Sequence, residues 1–242
     1  DIFSYFTFLS LSVGMIQGLS LIILFWSLKN NDVTRVMPIW SAYPFWVLLM
    51  AITLTSEVIT TVNLISIFLL ISGSMIANVK LDKKNSIKFS VRSFIILIMG
   101  TFLFALSQII NKEVVQNVPV IEAFGFRGIG VFLTLALPFS KRENLTFLIK
   151  YVFDWKKSKY IFTAETFLAT FACITILYSL ISGPVSLVAA ISGTRPVFIV
   201  AIYTILSLLK VNISESFSKR EVVVKLISAI FVSMGVFGIA VF

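Results

Sequence analysis

Apolar residues run along this chain in blocks of about 20, the length a helix needs to cross a hydrocarbon core of about 30 Å. Short stretches rich in lysine, serine and asparagine separate them. The blocks are continuous and lack the roughly ten-residue alternation of an outer-membrane barrel strand, so they predict helices. Eight spans follow, at about Ser4–Leu28, Val36–Thr55, Thr60–Val79, Ser93–Asn111, Val118–Phe139, Tyr160–Ser182, Pro184–Leu209 and Val222–Phe242. The link Ser182-Gly183-Pro184 is short enough to predict an antiparallel hairpin between the sixth and seventh.

Composition narrows the class. The 242 residues are 58% hydrophobic and only 13% charged, with a mean hydropathy of +1.02, which lies outside the balance of a soluble domain. An all-α polytopic membrane protein is expected. Every lysine and arginine except Lys112, Arg127 and Arg195 falls in the odd-numbered loops, among them Lys83, Lys84, Lys156 and Lys157. The positive-inside rule places those loops in the cytoplasm and the carboxyl terminus outside. The net charge of +9 is then a topology signal of a multi-pass protein of the inner or plasma membrane. A nucleic-acid partner is not expected, since the charges are scattered and lack an aromatic platform.

Histidine is absent and Cys173 is the only cysteine. These absences remove histidine acid–base chemistry, zinc clusters and internal disulfides. No GxxxxGK[ST] loop occurs, which disfavours ATP as a direct energy source. The expectation is a non-enzyme with no catalytic residue, no metal and no cofactor.

The chain also repeats itself. WSLKNNDVTRVMPIWSAYPFWVLLMAI, from Trp26, aligns without a gap on YSLISGPVSLVAAISGTRPVFIVAIYT, from Tyr178, so that Tyr43-Pro44 falls on Arg195-Pro196 and Trp40 on Ser192. VNLISIFLLISGSMIANV, from Val62, then aligns on VKLISAIFVSMGVFGIAV, from Val224, placing Ser66 on Ser228 and Gly73 on Gly235. The spans between Ser93 and Phe139 have no counterpart before Ser4. The repeat unit would therefore have five helices, with the first copy lacking two. Units with an odd number of spans insert with opposite orientation, as in inverted-repeat transporters.

VSLVAAISGTRPVFIV with its central proline, the following loop, and KLISAIFVSMGVFGIA resemble the EamA-type branch of the drug/metabolite transporter superfamily. The first copy repeats the pattern with YPFWVLLMAITLTSEVIT and NLISIFLLISGS, where Glu57 falls in the family's acidic loop; in the second copy Glu215 is displaced. FGFRGIGVF, with Arg127, is similar to the family's arginine early in the second helix of each repeat. The resemblance implies a ten-helix, five-plus-five fold around a central cavity that exports small metabolites or drug-like solutes by alternating access. Residues 1–80 would be the first repeat without its two opening helices, 81–92 a basic cytoplasmic linker, and 93–242 the complete second repeat. Family members usually keep both ends in the cytoplasm, against the basic-residue count here.

Arg195 lies within an apolar run, where a central charge costs about 3 kcal/mol on insertion scales and faces a cavity or a partner, not lipid. Pro196 deprives the Ser192 carbonyl of its helical donor. Ser192, Thr194 and Arg195, with their counterparts Trp40 and Tyr43 and the prolines Pro44 and Pro196, are the substrate-cavity candidates. Arg195 would bind an anionic group of the solute; its alternative role is to hold helices together. Candidates for gating or coupling are Arg127, Glu122, Glu165 and the matched aromatics Trp26 and Tyr178, which otherwise read as structural residues and interfacial anchors. Gly14 and Gly18 predict a close helix contact, within one protomer or between two. Monomer and homodimer stay open. The alternative to transport is a structural or regulatory membrane protein of the same fold. A lipid-modifying enzyme is disfavoured, because no carboxylate cluster or nucleophile–base pair shares one depth.

Overall fold

The computed structural model describes residues 5–31, 33–55, 59–77, 91–137, 163–192 and 227–235, with isolated positions elsewhere. The described residues are helical, without strands. The elements are α1 (Tyr5–Asn30), α2 (Val33–Trp40), α3 (Tyr43–Leu54), α4 (Thr61–Ala77), α5 (Val91–Asn117), α6 (Val120–Ala136), a π-helical turn at Ala164–Ala169 that leads into α7 (Thr170–Ser182), α8 (Val185–Ser192) and α9 (227–235). Two of them, α1 and α5, are long and apolar enough to cross a membrane.

The expected second span, Val36–Thr55, is divided between α2 and α3. Pro44 lies in the first turn of α3, where a missing N–H costs no helical bond. One turn earlier the same residue leaves the Trp40 carbonyl without its i+4 donor. Hydropathy does not register that break, because the residues around it are mostly apolar.

The chain forms two compact units: Asp1–Ile22 with Ile110–Gly183, and Ile23–Ile109 with Pro184–Phe242. In the first unit α1 and α6 run parallel along a seam of small residues. Ser10 Oγ donates to the Ala123 carbonyl at 2.8 Å. A Cβ on Gly14 would strike the Arg127 carbonyl, and one on Gly130 the Leu11 carbonyl. Gly18 meets Thr134, whose hydroxyl donates to the Gly130 carbonyl at 3.0 Å. The GMIQG glycines are thus used inside this chain, where small side chains let two backbones touch. The opposite face of α6 presents Ile121, Ile129, Phe132 and Leu133, all exposed. Gly183, in extended backbone (φ −137°, ψ 168°), ends α7, and Lys112 donates to its carbonyl at 3.3 Å. A cation is favourable at a helix C-terminus.

In the second unit α3 packs on α8 and α4, and α2 and α8 also pack on α4. Leu48, Ile67, Leu70, Ile71, Ala190 and Val232 make the core. Gly100 on α5 makes room for Ile23 and the Trp40 ring.

The crossing of α4 and α9 is antiparallel and reciprocal. A Cβ on Gly73 would lie 2.8 Å from Val232 Cγ2 and 3.0 Å from the Ser228 carbonyl oxygen. One on Gly235 would lie 2.7 Å from Leu70 Cγ and 2.8 Å from the Ser66 carbonyl oxygen. Gly73 and Gly235, Ser66 and Ser228, and Leu70 and Val232 are the pairs aligned by the sequence repeat. Matched positions therefore meet each other's partners, the signature of a two-fold contact.

Candidate functional site

The second unit holds both helix interruptions that the sequence marks with proline. In the first copy α2 ends at Trp40 and the chain turns through Ser41 and Ala42 before α3. Ser41 N–H donates to the Met37 carbonyl at 2.9 Å and Ala42 N–H to the Ile39 carbonyl at 3.1 Å. In the second copy α8 ends at Ser192, and Thr194 N–H donates to the Ile191 carbonyl, also at 3.1 Å. Thr194 and Ile191 are the repeat counterparts of Ala42 and Ile39. Both copies close their helix with the same tightened turn three residues after its acceptor.

Around these breaks the described side chains are aromatic and hydroxylic. Tyr43 is buried, and its hydroxyl donates to the Ala189 carbonyl on α8 at 3.1 Å. Its ring stands edge-on to Phe104, with centroids 4.9 Å apart, and Trp40 tilts onto the same phenylalanine at 5.4 Å. Thr194 is buried and returns its hydroxyl to the Ile191 carbonyl at 2.6 Å, while Ser192 is half-buried at the end of α8. Pro44 is buried in the first turn of α3. Thus Trp40, Tyr43, Pro44, Ser192 and Thr194 lie at two breaks of one unit. Arg195 and Pro196 lie outside the described residues. Such a place can offer ring faces to the apolar body of a solute and interrupted backbone to its polar groups.

The gating and coupling candidates are dispersed. Arg127 is buried in the first unit, its guanidinium carbon 5.7 Å from the Phe124 ring centroid and its neighbours including Cys173. Cys173 is half-buried beside this cation. Glu122, in the first turn of α6, accepts from the Thr7 hydroxyl at 3.4 Å. That position suits an anion at a helix N-terminus. Glu165 lies in the π-helical turn. Trp26 and Tyr178 are both exposed. Among the described residues no group of three histidine, cysteine or acidic side chains is placed to hold a metal.

Phe104 and Ala189 carry no sequence signal that distinguishes them from other apolar positions. Asn111 had one, a polar side chain near the end of a span. It is 1% exposed, and neither its Nδ2 nor its Oδ1 has a hydrogen-bond partner among the described residues.

No protein-family model matches the chain, and no curated protein matches it either. The fold is similar to that of a solved crystal structure of another protein, with a TM-score of 0.66 over 96% of this chain and 86% of the other, at 10% identity. At that identity the likeness concerns the fold alone.

Proposed function

We propose that the protein is a secondary transporter of the drug/metabolite type, which moves a small solute by alternating access through a cavity beside the two helix breaks. The observation that carries this reading is the pair of interruptions at Ala42 and Thr194, repeat-matched and within one unit. Discontinuous helices at corresponding places in two halves mark substrate sites in inverted-repeat transporters, because unwound backbone at membrane depth needs a cavity or a partner. Supporting it, α1 and α6 run parallel and α4 and α9 antiparallel, as alternate crossings require of the first, fifth, third and eighth spans. The exposed face of α6 is apolar, as lipid contact requires.

On this reading the chain is a multi-pass plasma-membrane protein built from five-helix repeats of opposite orientation, and it exports its substrate. Trp40, Tyr43 and Phe104 form one wall of the cavity, and Arg195 receives an anionic group of the solute. The test is counterflow in proteoliposomes of the full-length protein, screened over anionic, zwitterionic and cationic metabolites. Uptake of an anionic or zwitterionic solute that falls at least tenfold in Arg195→Lys, with insertion unchanged, is expected, since lysine lacks the planar fork. Transport confined to cations would overturn the role of Arg195, and no counterflow of any solute would overturn the transporter reading.

A further inference from the structure

The α4–α9 crossing is two-fold in its backbone contacts but not in its hydroxyls. Ser228 Oγ crosses to the other helix and donates to the Gly73 carbonyl at 2.7 Å. Its repeat counterpart, Ser66, turns back and donates to the Val62 carbonyl of its own helix, also at 2.7 Å. If the crossing were fully symmetric, Ser66 would reach the Gly235 carbonyl. The opportunity is there: Gly235 approaches the backbone of Ser66, and Gly238 lies against the Ser66 side chain.

A serine has one O–H to donate. It can return the proton to a carbonyl one turn earlier or aim it at a neighbouring helix, and the two choices differ by a rotation about χ1 between staggered wells. Two equivalent residues thus hold the two available states, one each, at a single crossing. This is what an inverted repeat demands if its halves exchange conformation, because whatever one copy does in the first state the other does in the second.

We propose that Ser66 and Ser228 form a reciprocal hydroxyl switch. In the present state Ser228 bridges to Gly73 and Ser66 is folded back onto Val62. In the opposite state Ser66 bridges to Gly235 and Ser228 folds back onto Val224. One interhelical bond is broken and an equivalent one made, so the crossing keeps the same number of bonds and favours neither state by itself. Gly73 and Gly235 keep the helices close enough for either hydroxyl to reach. The inference rests on the transporter reading and adds a pivot away from the solute site.

The test reads the balance of states directly. In a Cys173→Ala background, a single cysteine introduced as Ser192→Cys is labelled with a membrane-impermeant maleimide from each side, in right-side-out and inverted vesicles. The ratio of the two rates reports the population of the two states. Ser228→Ala removes the present bridge and should move the ratio about threefold toward the opposite state, the size of an average interhelical hydrogen bond in a membrane protein. Ser66→Ala should move it by a similar factor the other way, and the double variant should return it to the background value. Loss of packing alone would not give two opposite shifts that cancel. If the two single variants shift the ratio in the same direction, or leave it unchanged, while counterflow persists in the same variants made with Ser192 and Cys173 intact, the switch is overturned and the transporter reading stands. If the full-length protein gives neither counterflow nor labelling from both sides, both fall.

Discussion

The Tyr43 hydroxyl donates to the Ala189 carbonyl at 3.1 Å, so that a side chain from the start of α3 ties the end of one interrupted segment to the body of the other. Tyr43→Phe keeps the edge-on contact with Phe104 and removes the hydroxyl that makes that bond. It should lower stability by about 0.5–1.5 kcal/mol, read as a modest drop in thermal midpoint in detergent. Tyr43→Ala also removes the ring and should cost about 3–5 kcal/mol. Equal effects of the two would mean that the ring contributes nothing.

The glycines of α6 divide into two kinds. A Cβ on Gly130 meets backbone atoms of α1, as one on Gly14 meets the backbone of α6, whereas Gly125 and Gly128 face open space. Gly14→Ala and Gly130→Ala should each destabilise by about 1–3 kcal/mol through overpacking. Gly125→Ala and Gly128→Ala should be neutral or should stabilise by up to about 1 kcal/mol, since alanine is the better helix former. Chemical denaturation in mixed micelles would rank the four variants. A loss at Gly128→Ala as large as at Gly130→Ala would contradict the seam.

Asn111 is buried with no hydrogen-bond partner among the described residues. An amide held so costs about 1–3 kcal/mol. Asn111→Leu should therefore raise the thermal midpoint. If transport falls while stability rises, the asparagine is kept for function; a lowered midpoint would show that the amide is satisfied after all.

Lys112 lies outside the odd-numbered loops that hold the other loop lysines, and its ammonium donates to the Gly183 carbonyl. Lys112→Met should cost about 0.5–1.5 kcal/mol and leave topology intact, because one residue among many sets little of the charge bias. A reporter fused after Phe242 checks the orientation: an external signal is expected, and a cytoplasmic one would reverse it.

What was legible in the sequence followed from periodicity and from the repeat. Helices, the small-residue contact at Gly14 and Gly18, and a break before Pro196 all carry local signals. The partner of that glycine pair does not, because α6 lies more than a hundred residues away and its glycines suit several faces. The break at Ala42 was hidden from hydropathy by its apolar neighbours, although Pro44, the repeat counterpart of Pro196, marked it. Ser66 and Ser228 were visible as aligned residues but not as neighbours. Alignment says that two positions share an environment, and only the antiparallel crossing brings each to the other's glycine. Phe104 and Ala189 join the candidate site through geometry alone.

The π-helical turn at Ala164–Ala169 has a consequence for how the chain tolerates change. Such a turn spends one residue more than an α-helix over the same rise, since its bonds span five residues where an α-helix spans four. Removing Thr166 would let the segment close as ordinary α-helix. Glu165 and the start of the segment would then keep their direction relative to α7, whereas the same deletion from an ordinary α-helix would turn them by about 100°. The face α7 turns to α6 would stay put and so would the face entering it, so a single-codon deletion that would redirect an ordinary helix is absorbed at this turn.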